Sequence, residues 1–144
     1  MTDAWQVFRD RLGSELVALP VDHSLLVSEP DPPAGPAPAR KWWQLGAAGP
    51  RAVPGRYVQF LRWEDVVRAE CVSGAYRDVS ETQHRALLDL GWSDPAANPK
   101  RWGTDNYVYD AAPAELAQLA DLCARSLDVL GARPDADWRW QVTD

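Results

Sequence analysis

The sequence predicts an α+β fold, an antiparallel sheet with helices packed on it. Three observations carry this. Residues 3–19, 80–90 and 113–130 show apolar positions at the three-four spacing of one helical face. Residues 56–63 and 65–73 alternate in short runs and lie close enough to form a hairpin. Helices and strands do not alternate one by one, as a doubly wound parallel sheet requires.

The first helix covers residues 3–19, with Trp5, Phe8, Leu12, Leu16 and Leu19 on one face. Thr2 or Asp3 can cap it and Pro20 stops it, while Gly13 weakens its middle by ~1 kcal/mol relative to Ala. Residues 21–28 form a strand candidate. Residues 28–40 hold Pro30, Pro32, Pro33, Pro36 and Pro38, which excludes helix or sheet interior. This stretch reads as a Pro-rich loop insertion within one domain spanning 1–144, and it should add little to the fold. Residues 41–45, with Trp42 and Trp43 adjacent, form another strand candidate.

Residues 56–63 are the best strand. Val58 and Phe60 point one way; Tyr57, Gln59, Leu61 and Trp63 point the other. Both faces carry apolar bulk, so both faces of the sheet are expected to be covered. Trp63-Glu64-Asp65 turns the chain, and residues 65–73 return with Val67, Ala69 and Cys71 on one face and Arg68 and Glu70 on the other. Ser80-Glu81-Thr82-Gln83 is a capping box opening the second helix, and Gly91 suits its left-handed C-cap. Trp92 follows, then a turn-rich loop over 93–103. Residues 106–110 are a short strand with Tyr107 and Tyr109 on one face. Pro113 lies in the first turn of the third helix, whose stripe is Leu116, Leu119, Cys123, Leu127 and Leu130; Gly131 and Pro134 end it. Residues 138–142 suggest a final strand with Trp138 and Trp140 on one side.

Composition narrows the function classes. The chain has 144 residues, 46% hydrophobic and 25% charged, which is ordinary for a globular domain. No apolar run reaches the ~18 residues of a membrane span. The first ten residues carry Asp3, Arg9 and Asp10 and no signal-peptide core, which points to the cytoplasm. The formal net charge is −6 and the isoelectric point about 4.8, against a nucleic-acid binder. Eight tryptophans exceed ordinary usage, and they decide where interest falls.

Catalytic chemistry finds little support. Asp22, His23 and Ser24 are the right types for a nucleophilic triad, but neighbours in a strand point to opposite faces and do not converge. His84 reads as solvent-exposed. Cys71 and Cys123 stand alone in apolar runs and read as inert buried thiols. Glu64-Asp65 and Asp135/Asp137 read as solvated turn acids, and Glu70 as one half of a cross-strand ion pair with Arg56 or Arg62. The expectation is no catalytic residue, no metal and no cofactor.

Trp5, Trp92 and Trp102 read as core. For the rest, a one-sided sheet leaves Tyr57, Leu61 and Trp63, with Trp42 and Trp43 on a neighbouring strand, partly exposed as a partner-binding face. The competing expectation is that loop 28–40 or a helix covers them.

Trp5…Phe8…Leu12, Arg56-Tyr57-Val58-Gln59-Phe60, Ala69-Glu70 and Leu90-Gly91-Trp92 with Pro95, Asn98 and Trp102, together with 114–130 followed by Gly131 and Pro134, resemble the TY-Chap family. These are actinobacterial domains grouped with type III secretion (Tir) chaperones and YbjN-like proteins. The resemblance covers residues 3–141; loop 28–40 and the wider spacing of Asn98 and Trp102 depart from it. It implies an α-β-β-β-α-β-β-α domain, type III secretion chaperone-like, of a kind that binds a client protein or peptide and often forms a homodimer. The first functional expectation is thus a non-catalytic peptide-binding domain. The alternative is a small enzyme or small-molecule-binding domain with a Trp-lined pocket, with Glu70, Arg68 or His23 supplying polarity. A deep closed pocket separates the second from the first.

Overall fold

A computed structural model of the chain describes residues 3–30, 55–73, 79–97 and 104–144. The expected strand at 41–45, with Trp42 and Trp43, lies outside the described residues, as do Trp102 and most of the Pro-rich stretch.

After a 3-10 turn at Asp3–Trp5, helix α1 runs over Gln6–Ala18 and buries Phe8, Leu12 and Leu16. Its N-cap position falls on Trp5, beyond the expected Thr2 or Asp3, and carries no side-chain cap. Burial of the Trp5 indole, 1% exposed, anchors this end instead. Strands β1 (Ser24–Ser28), β2 (Tyr57–Arg62) and β3 (Val67–Cys71) follow. The expected start of β1 at Val21 is lost because Asp22 takes a left-handed backbone, φ +67°, in the preceding turn.

Helix α2 (Glu81–Leu90) opens with the capping box, Ser80 and Gln83 each bonding the other's backbone, and closes on Gly91 at φ +115°. Strand β4 (Tyr107–Ala111) leads through a 3-10 turn at Pro113–Glu115 to helix α3 (Leu116–Val129), and β5 (Arg139–Thr143) comes last.

The strands form one antiparallel sheet in the order β4-β3-β2-β1-β5. Among the described residues the element order is α-β-β-β-α-β-α-β, so α3 precedes the last strand where the resemblance implies a closing helix. The reason lies in aromatic packing. Trp138 and Trp140 meet Phe8 of α1 at 5.1 and 5.5 Å between ring centroids, which draws the chain back beside β1 after Gly131 ends α3.

Cross-strand register divides the sheet into two faces. Leu25, Val27, Val58, Phe60, Val67, Ala69, Cys71 and Tyr107 are buried with Leu12, Leu16, Leu87, Leu119, Cys123 and Leu127 from the three helices. Each such apolar side chain contributes ~1.5–3 kcal/mol. The opposite face carries Leu26, Tyr57, Gln59, Leu61, Arg68 and Glu70. Among the described residues no helix packs on it; the other cover expected for it, loop 28–40, lies mostly outside them. Its apolar residues are interleaved with polar ones, a pattern suited to one buried face.

Candidate functional site

The hairpin β2–β3 sets the geometry of the open face. Trp63 N–H donates to Val66 O at 2.8 Å around the Glu64–Asp65 bend. That tight turn fixes Leu61 opposite Arg68 and Gln59 opposite Glu70. Leu61 and Trp63 are 39% and 38% exposed, the two large apolar residues of this region that remain open to solvent. The Arg68 guanidinium lies 5.0 Å from the Trp63 ring centroid, within cation–π range. It also grips Asp110 of β4 through two hydrogen bonds of 2.8 and 3.0 Å. Those bonds raise the Arg68 pKa against the opposing effect of burial, and the Asp110 and Glu70 charges add to the rise.

Tyr57 is brought to the same face but is half-buried, its hydroxyl accepting from Asn106 Nδ2 at 3.1 Å. Of the five expected site residues, the structure thus places Tyr57, Leu61 and Trp63 on one face; Trp42 and Trp43 fall outside the described residues.

Glu70 overturns its expected pairing. It is 8% exposed and accepts from Gln59 Nε2 at 3.0 Å, Thr104 Oγ1 at 2.6 Å and Asn106 Nδ2 at 3.4 Å. Arg56 instead binds Glu29 at 2.9 Å and Leu130 O at 2.6 Å, and Arg62 donates to Leu16 O. Both share the parity of Val58 and Phe60, and Arg62 pairs with Val67, so they lie on the helix side of the sheet while Glu70 lies on the other. The Gln59–Glu70 pair could have been read from the symmetry of the turn. Thr104 and Asn106 carried no such signal.

The remaining catalytic candidates from the sequence take structural places. His84 is partly buried, not solvent-exposed, because its Nδ1 lies 2.7 Å from Tyr107 Oη across α2 and β4. Burial, then the nearby Cys71, Asp94 and Glu81, push the Tyr107 phenol up to about 12. Burial likewise pushes the Cys71 thiol up to about 12 and Cys123 well above its ordinary value, so neither is a thiolate near neutral pH. His23 Nδ1 sits 3.1 Å from Val21 O, and Ser24 Oγ donates to Thr143 O at 3.4 Å; Asp22, His23 and Ser24 do not converge. The Glu64, Asp65, Asp135 and Asp137 carboxylates are exposed, as expected of turn acids. Among the described residues no group of three or more His, Cys, Asp or Glu could hold a metal ion. Nor is any of their helices long and apolar enough to cross a membrane.

A groove of about 830 Å³ runs between α1 and α3, lined by Arg9, Gly13, Ser14, Val17, Ala117 and Asp121 among others. It is open and carries no tryptophan, so it is not the Trp-lined pocket of the alternative reading. Its charges compensate one another: burial pushes the Asp121 carboxyl up, but hydrogen bonds from Arg125 and Arg9 outweigh this and hold it below the usual carboxylate range.

No curated protein and no solved structure matches the chain. A family model does, over residues 1–137, and it describes TY-Chap3, the T3SS (YopN, CesT) and YbjN peptide-binding chaperone 3. That span takes in α1, the hairpin with its open face, both later helices and Trp92, and the chain belongs to this family of peptide-binding chaperone domains.

Proposed function

We propose that this protein is a non-catalytic chaperone-like domain that holds a segment of a client protein on the open face of its sheet, across Leu61 and Trp63 with Tyr57 at the margin. The observation that carries the reading is the exposure of Leu61 and Trp63 side by side on a face without a helix among the described residues. A half-exposed indole backed by a guanidinium offers large apolar area at low entropic cost, which suits recognition of varied sequences. Family membership supports the peptide-binding class. Trp42 and Trp43 are proposed to extend the same surface. In this reading the domain works in the cytoplasm on client polypeptide, not on nucleic acid or membrane, and self-association competes with the client for the face.

The test is selection of binders from a random 12-residue peptide library by the full chain, followed by affinity measurements on Trp63→Ala and Leu61→Asp. A loss of about tenfold or more in both variants, with melting little changed, supports the site. Unchanged affinity in both sinks it. A dimer seen by light scattering that Trp63→Ala dissolves, with peptide affinity untouched, assigns the face to a second copy of the chain.

A further inference from the structure

Gln59 lies midway along β2 on the open face, between Tyr57 and Leu61. A glutamine amide on a solvated sheet turns over easily, since its two ends differ only in donating or accepting. Here one end is fixed. Nε2 donates to Glu70 Oε2 at 3.0 Å, and an ionised carboxylate only accepts. Turning the amide over would set its carbonyl against that carboxylate. Glu70 is itself held, 8% exposed, with its other oxygen taking the Thr104 hydroxyl and the Asn106 amide.

The consequence is an oriented acceptor. Gln59 Oε1 is the end directed away from Glu70. No described residue donates to it, and Gln59 is half-buried on this face. Along the strand it is flanked on the same face by Tyr57 and Leu61, and across β1 by half-buried Leu26.

We infer that Gln59 is the specificity-determining residue of this face, its side-chain carbonyl accepting a main-chain N–H from an extended client segment. The inference rests on the reading of the face as the client site. An extended segment carries peptide N–H groups that no internal hydrogen bond uses, whereas a helix has already consumed its own. The main-chain N–H is also the one donor present whatever the client sequence. Side chains of the segment then meet Leu61 and Trp63, while one peptide group meets Gln59. The face thereby selects for extended conformation more than for sequence, as strand-like recognition modes do.

A double-mutant cycle tests this. The probe is a synthetic copy of the tightest 12-residue peptide from the library selection, N-methylated at each peptide bond in turn. The proteins are the full-length wild type, Gln59→Leu and, as a second apolar variant in case Leu perturbs folding, Gln59→Met. The expected result is that one N-methyl position weakens wild-type binding by about three- to tenfold, the range of a single neutral hydrogen bond, and costs nothing further in either Gln59 variant. If every N-methyl penalty is the same in wild type and variants, the inference is overturned while the client site at Leu61 and Trp63 still stands. If instead the probe binds the Trp63→Ala variant as tightly as wild type, the client site itself is lost, and the role of Gln59 with it.

Discussion

The Arg68 guanidinium is shared between a ring and a carboxylate: 5.0 Å from the Trp63 centroid, and bidentate to Asp110 at 2.8 and 3.0 Å. The arrangement ties the tip of the β2–β3 hairpin to edge strand β4. It props the indole from one side, and Trp63 stays 38% exposed. The strength of this tie is modest, because Arg68 and Asp110 side chains are 21% and 38% exposed and water screens the pair.

Trp63→Ala should therefore cost on the order of 1 kcal/mol, a few degrees in melting temperature for a chain of this size. Trp5→Ala, which empties a fully buried indole site against Phe8, should cost ~3–5 kcal/mol. Thermal melts of the two variants side by side check the contrast. Equal losses would mean that Trp63 is core.

Trp92 Nε1 donates to Ser126 Oγ at 2.7 Å, both groups buried, and Ser126 passes the bond on to Leu122 O. Ser126→Ala leaves the indole N–H without a partner where water does not reach. The expected cost is ~1–3 kcal/mol, larger than the missing oxygen alone suggests. Urea denaturation at constant m-value would register it.

Gly91 closes α2 at φ +115°, and a Cβ there would lie 3.3 Å from the Tyr109 ring. Gly91→Ala combines backbone strain with this close approach, and ~1–2 kcal/mol of destabilisation is expected. Ser80→Ala at the other end of the same helix should cost ~1 kcal/mol through loss of the capping box. The two sites are eleven residues apart at the two ends of one helix, so additivity in the double variant is a further check.

Asp121 is held below the usual carboxylate range by Arg125 and Arg9, against the upward pull of burial. A carboxylate with a lowered folded pKa stabilises the native state above its unfolded pKa, near ~3.9, and loses that contribution as pH falls through the folded value. The wild type should thus lose stability below about pH 4 more steeply than Asp121→Asn. Melting temperatures from pH 6 to pH 2.5 measure the difference in slope. Parallel curves would show that the Arg9–Asp121–Arg125 bridge of α1 to α3 is energetically silent.

Cys71 and Cys123 are fully buried, with the Cys71 thiol pushed to about 12 by desolvation. Neither should react with a thiol reagent at pH 8 in the native protein. Both should react once denaturant opens the core, and the reaction should follow the unfolding curve.

Much of this protein is determined locally and is therefore legible in its sequence. The helical stripe of Trp5, Phe8, Leu12 and Leu16, the capping box at Ser80, the stop at Gly91 and the alternation along residues 57–61 depend on neighbours within one or two turns of chain. Even the Gln59–Glu70 register follows from a tight turn between them. The tertiary structure decided what meets across long separations. Glu70 finds Thr104 and Asn106 rather than an arginine, His84 finds Tyr107, and the last strand returns to β1 on the aromatic packing of Trp138 and Trp140 against Phe8. Periodicity says which face a side chain takes but not what the opposing element brings to it. The partners of a buried polar group are set by how whole elements stack, and that depends on minimising exposed apolar area over the entire domain.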